Sequence, residues 1–188
     1  MNVSPVKGYE KDVGTKTTIR ITYPEGAPRK NNLYDVDALL GIVVFKLADL
    51  NWLDSVLHRK TPSTKGFWSK IAMSVPKNPR QTRIINPLII REASFDLLGY
   101  PTNLGKMNKN VPTSGTISIM LALRLCDEVD VVGFGYNTKE PEALIHYYEK
   151  VKMKIITSLF THDINHETAF LKKLVEFGVI RDLTGGLS

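Results

Sequence analysis

The chain has 188 residues, 43% of them hydrophobic and 23% charged, with a formal net charge of +6 at neutral pH. That length and balance suit a folded domain with a substantial core and exclude a low-complexity or disordered polymer. The positive charge suits an anionic ligand, but Lys and Arg are scattered rather than gathered into a stripe, which argues against a nucleic-acid partner.

Thr17 to Tyr23 is predicted as a strand, rich in β-branched residues and ending at the Pro24-Glu-Gly-Ala-Pro28 turn. The most apolar window, Ala38 to Leu57, is interrupted by Lys46, Asp49, Asn51 and Asp54, too many charges for a bilayer span, so no transmembrane or signal segment is expected. Within it, Ile42 to Leu47 suits a buried strand and Trp52 to Leu57 a short helix. Residues 60–70 are rich in Ser, Thr, Pro and Gly and read as a loop. Arg83 to Asn86 is a third candidate strand, Pro87 fits a helix's first turn, and Ile89 to Leu98 carries helix-spaced apolar residues. Tyr100 to Lys109 reads as loop. A further loop, Lys109-Asn-Val-Pro-Thr-Ser-Gly115, leads into a helix over the apolar run to Leu125, capped by Thr113 or Ser114. Cys126 to Gly135 then reads as a buried strand ending in glycines. The last helix is predicted to start near Asn165, bury Phe170, Leu171, Leu174 and Val175, and stop at Gly178. Val179 to Leu183 forms the final strand. Strands alternating with helices predict an α/β fold, a Rossmann-like layered sheet with flanking helices, whose ligands lie beyond the carboxyl ends of the strands.

A helix start with a hydroxyl cap and a glycine leaves backbone N–H groups unpaired at the positive end of the macrodipole, a seat for a carboxylate or phosphate. Of the four histidines, His58 and His166 fit surface or structural roles. Cys126 is the single cysteine, so the chain holds no internal disulfide, and a small residue at its position suits burial. Asn2-Val3-Ser4 matches the glycosylation pattern, with Pro5 following it against modification.

The run Pro112-Thr-Ser-Gly115 before the helix, with Cys126-Asp-Glu-Val129 leading to Gly133-Phe-Gly135, resembles the small sialyl motif of the animal sialyltransferases. His146-Tyr147-Tyr148-Glu149 resembles the family's short third motif, and His162 with Glu167 its very small motif, a histidine, four residues, then a glutamate. At the other end, Asn2-Val-Ser-Pro5 and Gly8 to Tyr23 look like the tail of the large motif. Within the family, Thr22 to Pro28, Phe134-Gly-Tyr136 and the ending Asp182-Leu-Thr-Gly-Gly186 look most like the ganglioside-synthesising branch that sialylates lactosylceramide. The chain starts where the large motif is more than half finished, so the resemblance implies the C-terminal part of a catalytic domain, 1–188, missing its N-terminal portion.

The resemblance implies transfer of sialic acid from CMP-sialic acid to the 3-hydroxyl of a terminal galactose on a glycolipid or glycan, with inversion. A sugar hydroxyl is a poor nucleophile until a base takes its proton, and His162 is the candidate base. The leaving phosphate gains negative charge as the bond breaks, and His146 is the candidate donor to it. Asn2, Thr113, Ser114, Gly115 and Gly135 are the candidate donor-binding residues. Gly135 would let the nucleotide approach the backbone without a Cβ in the way. The family's equivalent of Cys126 is disulfide-bonded to a cysteine of the large motif, and that partner is lost here. No cofactor and no metal are expected. Partners implied are CMP-sialic acid, a galactose-terminated acceptor and other Golgi glycosyltransferases, with no nucleic acid. The full-length family protein belongs to the Golgi lumen, whereas this chain carries no anchor of its own. A catalytically silent form that binds glycolipid or pairs with a full-length enzyme is the alternative.

Overall fold

The β-branched residues Ile19, Ile21 and Thr22 favour strand β1, Ile19–Thr22, which pairs in parallel with β2, Leu39–Ile42. Strand β2 pairs in parallel with β3, Thr82–Ile84, giving a three-stranded sheet in the order β1-β2-β3. The computed structural model describes residues 2–102, 111–136, 140–157 and 161–187, without the side chains of 156 and 157. The loop expected over 103–109 lies outside the described residues. The chain divides into two compact units, Met1–Pro87 and Leu88–Ser188.

The N-terminal unit is built on an apolar cluster. Leu40 and Ile42 of β2 pack with Trp52, Leu53 and Val56 of helix α2, Leu47–Leu57, and with Ile71, Ala72 and Val75 beyond it. The buried indole of Trp52 donates to the Ala72 carbonyl at 2.6 Å, and the Tyr34 hydroxyl to the Pro28 carbonyl at 2.9 Å, so these two aromatic side chains bring paired polar atoms into the core. A short helix α1, Glu10–Val13, precedes β1 and was not legible in the sequence.

The strand expected at Ile42 to Leu47 lies earlier, because Asp49 claims the second half of that run. Its carboxylate accepts the backbone N–H groups of Phe45, at 2.8 Å, and Lys46, at 3.2 Å. Leu47 therefore opens a helix rather than ending a strand, and α2 is twice as long as the predicted Trp52–Leu57 piece.

The C-terminal unit takes up the chain after Pro87, which stands in the first turn of α3, Pro87–Arg91. The helix expected to run on to Leu98 widens into a π-helical stretch, Glu92–Leu97. Leu98 N–H reaches back five residues to the Ala93 carbonyl, and the Ser94 hydroxyl donates to the Ile90 carbonyl at 2.7 Å. Helix α4, Ser114–Leu125, packs against this stretch, and its Arg124 pairs with Glu92. A two-residue strand β4, Asp130–Val131, pairs in parallel with β5, Arg181–Asp182. Between them lie α5, Met153–Thr157, and α6, Ile164–Glu176.

These parallel strands and helices give the α/β class that the alternation predicted, in two sheets among the described residues. Two smaller expectations are corrected. Helix α6 buries Ile164, Glu167 and Leu171, while Phe170, Leu174 and Val175 are half-covered. Cys126 follows α4 as its C-cap and is exposed, because the apolar face of α4 is carried by Ile117, Ile119 and Met120 further back.

Candidate active site

The start of α4 is held from a distance. Thr113 is the N-cap, its hydroxyl oxygen accepting the Thr116 N–H at 3.2 Å. Glu167 of α6, only 3% exposed, supplies the rest. Its carboxylate accepts the Thr113 N–H at 3.0 and 2.9 Å, the Thr113 hydroxyl at 2.7 Å and the Thr116 hydroxyl. A buried anion is tolerated here because three donors and the positive end of α4 surround it.

That arrangement changes what the helix start offers. The Thr113 hydroxyl was expected to face a ligand, but its proton goes to Glu167 and its oxygen to Thr116. The Ser114 and Gly115 N–H groups and the Ser114 hydroxyl have no hydrogen bond among the described residues, so they form the open part of the anion seat. Glu167 is the site residue that the expected set lacked. Its place in a motif was visible, but its partners lie 51 and 54 residues away, and sequence spacing carries no sign of them.

His162 sits just before α6, whose N-cap Asp163 accepts the His166 N–H at 3.1 Å. The His162 Nδ1 lies 2.7 Å from the Val111 carbonyl oxygen. A carbonyl only accepts, so Nδ1 carries the proton and Nε2 presents a lone pair. His162 and Glu167 thus grip Val111 and Thr113, two residues apart on the loop that opens α4.

His146 is arranged differently. Its Nδ1 lies 2.5 Å from Glu149 Oε1, and its ring stacks on Tyr148 at 5.3 Å between centroids. The Glu149 carboxylate accepts at Nδ1 and orients the ring, which leaves Nε2 as its other polar position. No hydrogen bond or ring contact joins His146 to His162 among the described residues. Burial pushes the pKa of the Tyr136 phenol up, and the charges of Glu167, Tyr148 and Glu149 push it further. The Tyr100 phenol, whose ring is tilted against His166 at 5.6 Å between centroids, has its pKa raised in the same way by burial and by Glu167 and Asp163.

The glycines of the small motif are packing devices. A Cβ on Gly115 would come within 2.9 Å of Cε1 of the Phe134 ring. Gly135 has φ +93°, and a Cβ there would meet the Gly186 carbonyl oxygen at 2.0 Å. The space expected for an approaching nucleotide on that face is filled by the chain's own Gly186.

In the N-terminal unit, Asn2 is tied to β1. Its N–H donates to the Ile21 carbonyl at 2.9 Å, its Oδ1 accepts from the Thr22 hydroxyl at 3.3 Å, and its carbonyl accepts from Arg20 at 3.0 Å. The Asn2 Nδ2 has no hydrogen bond among the described residues and is left to donate. An acidic Asp35-Val-Asp37 pair also lies in this unit, where Asp35 is held by Arg20 at 2.7 Å. Among the described residues no three His, Cys, Asp or Glu side chains gather as metal ligands.

Within a parallel α/β frame the chain thus carries a capped helix N-terminus and two histidines, each held at Nδ1. The model of Glycosyltransferase family 29 (sialyltransferase) matches residues 1–179, and the chain belongs to that family. It is 48% identical over 189 residues to the human CMP-N-acetylneuraminate-beta-1,4-galactoside alpha-2,3-sialyltransferase, covering all of this chain and 50% of the relative. It is 42% identical over 193 residues to the human lactosylceramide alpha-2,3-sialyltransferase, covering all of this chain and 46% of that relative. The crystal structure of a mammalian sialyltransferase superposes with a TM-score of 0.76 at 28% identity, over 98% of this chain and 58% of that one. The chain thus spans about half the length of the curated relatives it matches. No helix among the described residues is long and apolar enough to cross a membrane.

Proposed function

We propose that this chain carries the acid–base half of an inverting α-2,3-sialyltransferase, moving sialic acid from CMP-sialic acid to the 3-hydroxyl of a terminal galactose. The observation that carries this reading is the fixed tautomer of His162, whose Nδ1–H is committed to Val111. The galactose hydroxyl gives its proton to Nε2 as its oxygen bonds to the anomeric carbon. The bond from that carbon to the CMP phosphate breaks, and the phosphate oxygen keeps the electron pair. His146, with Glu149 behind it, donates a hydrogen bond to that oxygen, and the sialic-acid carboxylate rests on the Ser114 and Gly115 N–H groups. Asn2 donates to the CMP moiety through Nδ2. A single displacement inverts the anomeric centre.

For the acceptor, the names of both relatives favour a β-1,4-linked terminal galactose, which the lactosyl headgroup also presents. We take lactosylceramide and related β-1,4-galactosides as the substrate class and the Golgi lumen as the setting. A second reading is that this chain binds glycolipid without turnover or pairs with a full-length enzyme.

The test is transfer of radiolabelled sialic acid from CMP-sialic acid to lactosylceramide and to N-acetyllactosamine. It is run on this chain and on one extended by the N-terminal half of its relatives. Transfer by the extended form only, with glycolipid binding by both, establishes the silent reading. In the active form, His162→Ala is expected to cost about a hundredfold or more in turnover while leaving CMP affinity intact. An equal loss of CMP affinity would remove His162 from the role of base.

A further inference from the structure

The N-terminal unit carries an open pocket of about 720 Å³ between the C-terminal end of α2 and the segment 73–81. Its wall includes the apolar side chains of Val56, Leu57 and Val75, and its cations are Arg59, Lys60 and Lys77. Among the described residues no acidic side chain lines it. Lys77 is fixed, donating two hydrogen bonds to the Asp35 and Val36 carbonyls at 2.6 and 2.7 Å. The Arg59 and Lys60 side chains have no hydrogen bond or ion pair among the described residues. The nearest carboxylate on α2, Asp54, is paired with His58 at 3.0 Å.

The backbone adds an independent sign. Where α2 ends, Arg59 has φ +57°, the left-handed conformation that costs a side-chain-bearing residue and that glycine adopts freely. The Arg59 N–H donates to Val56 and the Lys60 N–H to Ser55, the pattern of a helix stop usually made with glycine. An arginine therefore stands, against local strain, at the mouth of a cavity whose other cations it joins.

We propose that this cavity binds an organic phosphate ester with an apolar body. The Arg59 fork and the Lys60 ammonium take the phosphate, since a planar pair of donors beside a point charge matches a doubly charged oxyanion. Val56, Leu57 and Val75 cover the apolar part. The volume is far larger than inorganic phosphate requires, and a ligand of drug-like size fits it. The chemistry is shared by a soluble phosphate ester and by a phospholipid headgroup with the first carbons of its chains.

The probe is dihexanoylphosphatidate, titrated into the 188-residue chain and followed by calorimetry. Binding is expected to weaken about tenfold in Arg59→Gly and by less in Arg59→Lys, which keeps the charge but loses the fork. Thermal stability of Arg59→Gly should hold or rise, because glycine relieves the left-handed strain, so lost binding cannot be ascribed to lost folding. Failure of the wild-type chain to bind, unchanged binding by Arg59→Gly, or equal binding of dihexanoylphosphatidylcholine overturns the proposal. Equal affinity for inorganic phosphate overturns it as well, by removing the apolar body. Phosphatidylcholine vesicles doped with phosphatidate separate the two sources: co-sedimentation that depends on Arg59 supports a membrane headgroup, and soluble binding alone supports a free ester.

Discussion

Each unit buries a carboxylate at the start of a helix, and the two do so in opposite ways. Asp49, wholly buried, serves the N–H groups of Phe45 and Lys46, three and four residues away, at the head of its own helix α2. Glu167 serves Thr113 and Thr116 at the head of α4 from a different helix, α6. Helix α2 also rests on an apolar cluster that includes Trp52, Leu53 and Val56. The loop that opens α4 depends on α6 through two side chains, Glu167 and His162. A local cap stabilises a helix, whereas a remote one also fixes the position of whatever the helix start presents.

The largest effect should follow from Glu167→Ala. It strands the Thr113 N–H and two hydroxyls in a buried setting, at a cost on the order of 3–5 kcal/mol in urea unfolding. In an active full-length context, transfer should fall about a hundredfold even at temperatures where the variant is folded, because the loop that His162 holds at Val111 loses its second anchor at Thr113. A variant that unfolds more easily yet turns over normally when folded would reduce Glu167 to a stability residue.

Gly135→Ala tests the close approach of the two backbones in the C-terminal unit. A methyl group 2.0 Å from the Gly186 carbonyl oxygen, at a φ of +93°, forces one chain to move. The expected loss is about 2–3 kcal/mol by thermal or urea unfolding. Wild-type stability for this variant would mean that the Phe134-to-Gly186 contact is easily given up.

Asp49→Ala should cost less, about 1–2 kcal/mol for the lost cap, with turnover per folded molecule unchanged. That difference is the sharpest form of the contrast: both caps matter to stability, and only the remote one should matter to catalysis. A drop in turnover matching that of Glu167→Ala would erase it.

The smallest effect concerns Cys126. Its thiol is exposed at the C-cap of α4, so alkylation should proceed at the same rate with and without sub-denaturing urea and change stability by less than about 0.5 kcal/mol. Labelling that requires urea would show that the thiol is covered in solution.

Local chemistry explains what was legible. The Thr113 cap, the helix to Leu125, Pro87 in a first turn and the stop near Gly178 follow from hydroxyl, proline and glycine signals within a few residues. The β2 boundary was misread because Val43 to Leu47 is apolar enough for strand or helix, and the deciding bonds come from an aspartate that the apolar pattern passes over. The π-helical stretch was invisible for a similar reason. Ile89 to Leu98 keeps helical spacing, while the Ser94 hydroxyl and the Leu98 N–H settle the width of the turn.

The sequence by itself determined the α/β class, the order of the family motifs and the residue types able to bind an anion and move a proton. Those properties rest on composition, period and short spacing, which a chain carries whether or not it is folded. Only the tertiary structure decided which atoms are free to act. It turned the Thr113 hydroxyl inward to Glu167 and left Ser114 and Gly115 open. It fixed the proton of His162 on Nδ1, and it set Gly186 against Gly135. Each of those outcomes is a contact between residues some fifty positions apart. Burial makes such contacts obligatory, because a polar group taken from water must find its partner wherever the fold places one.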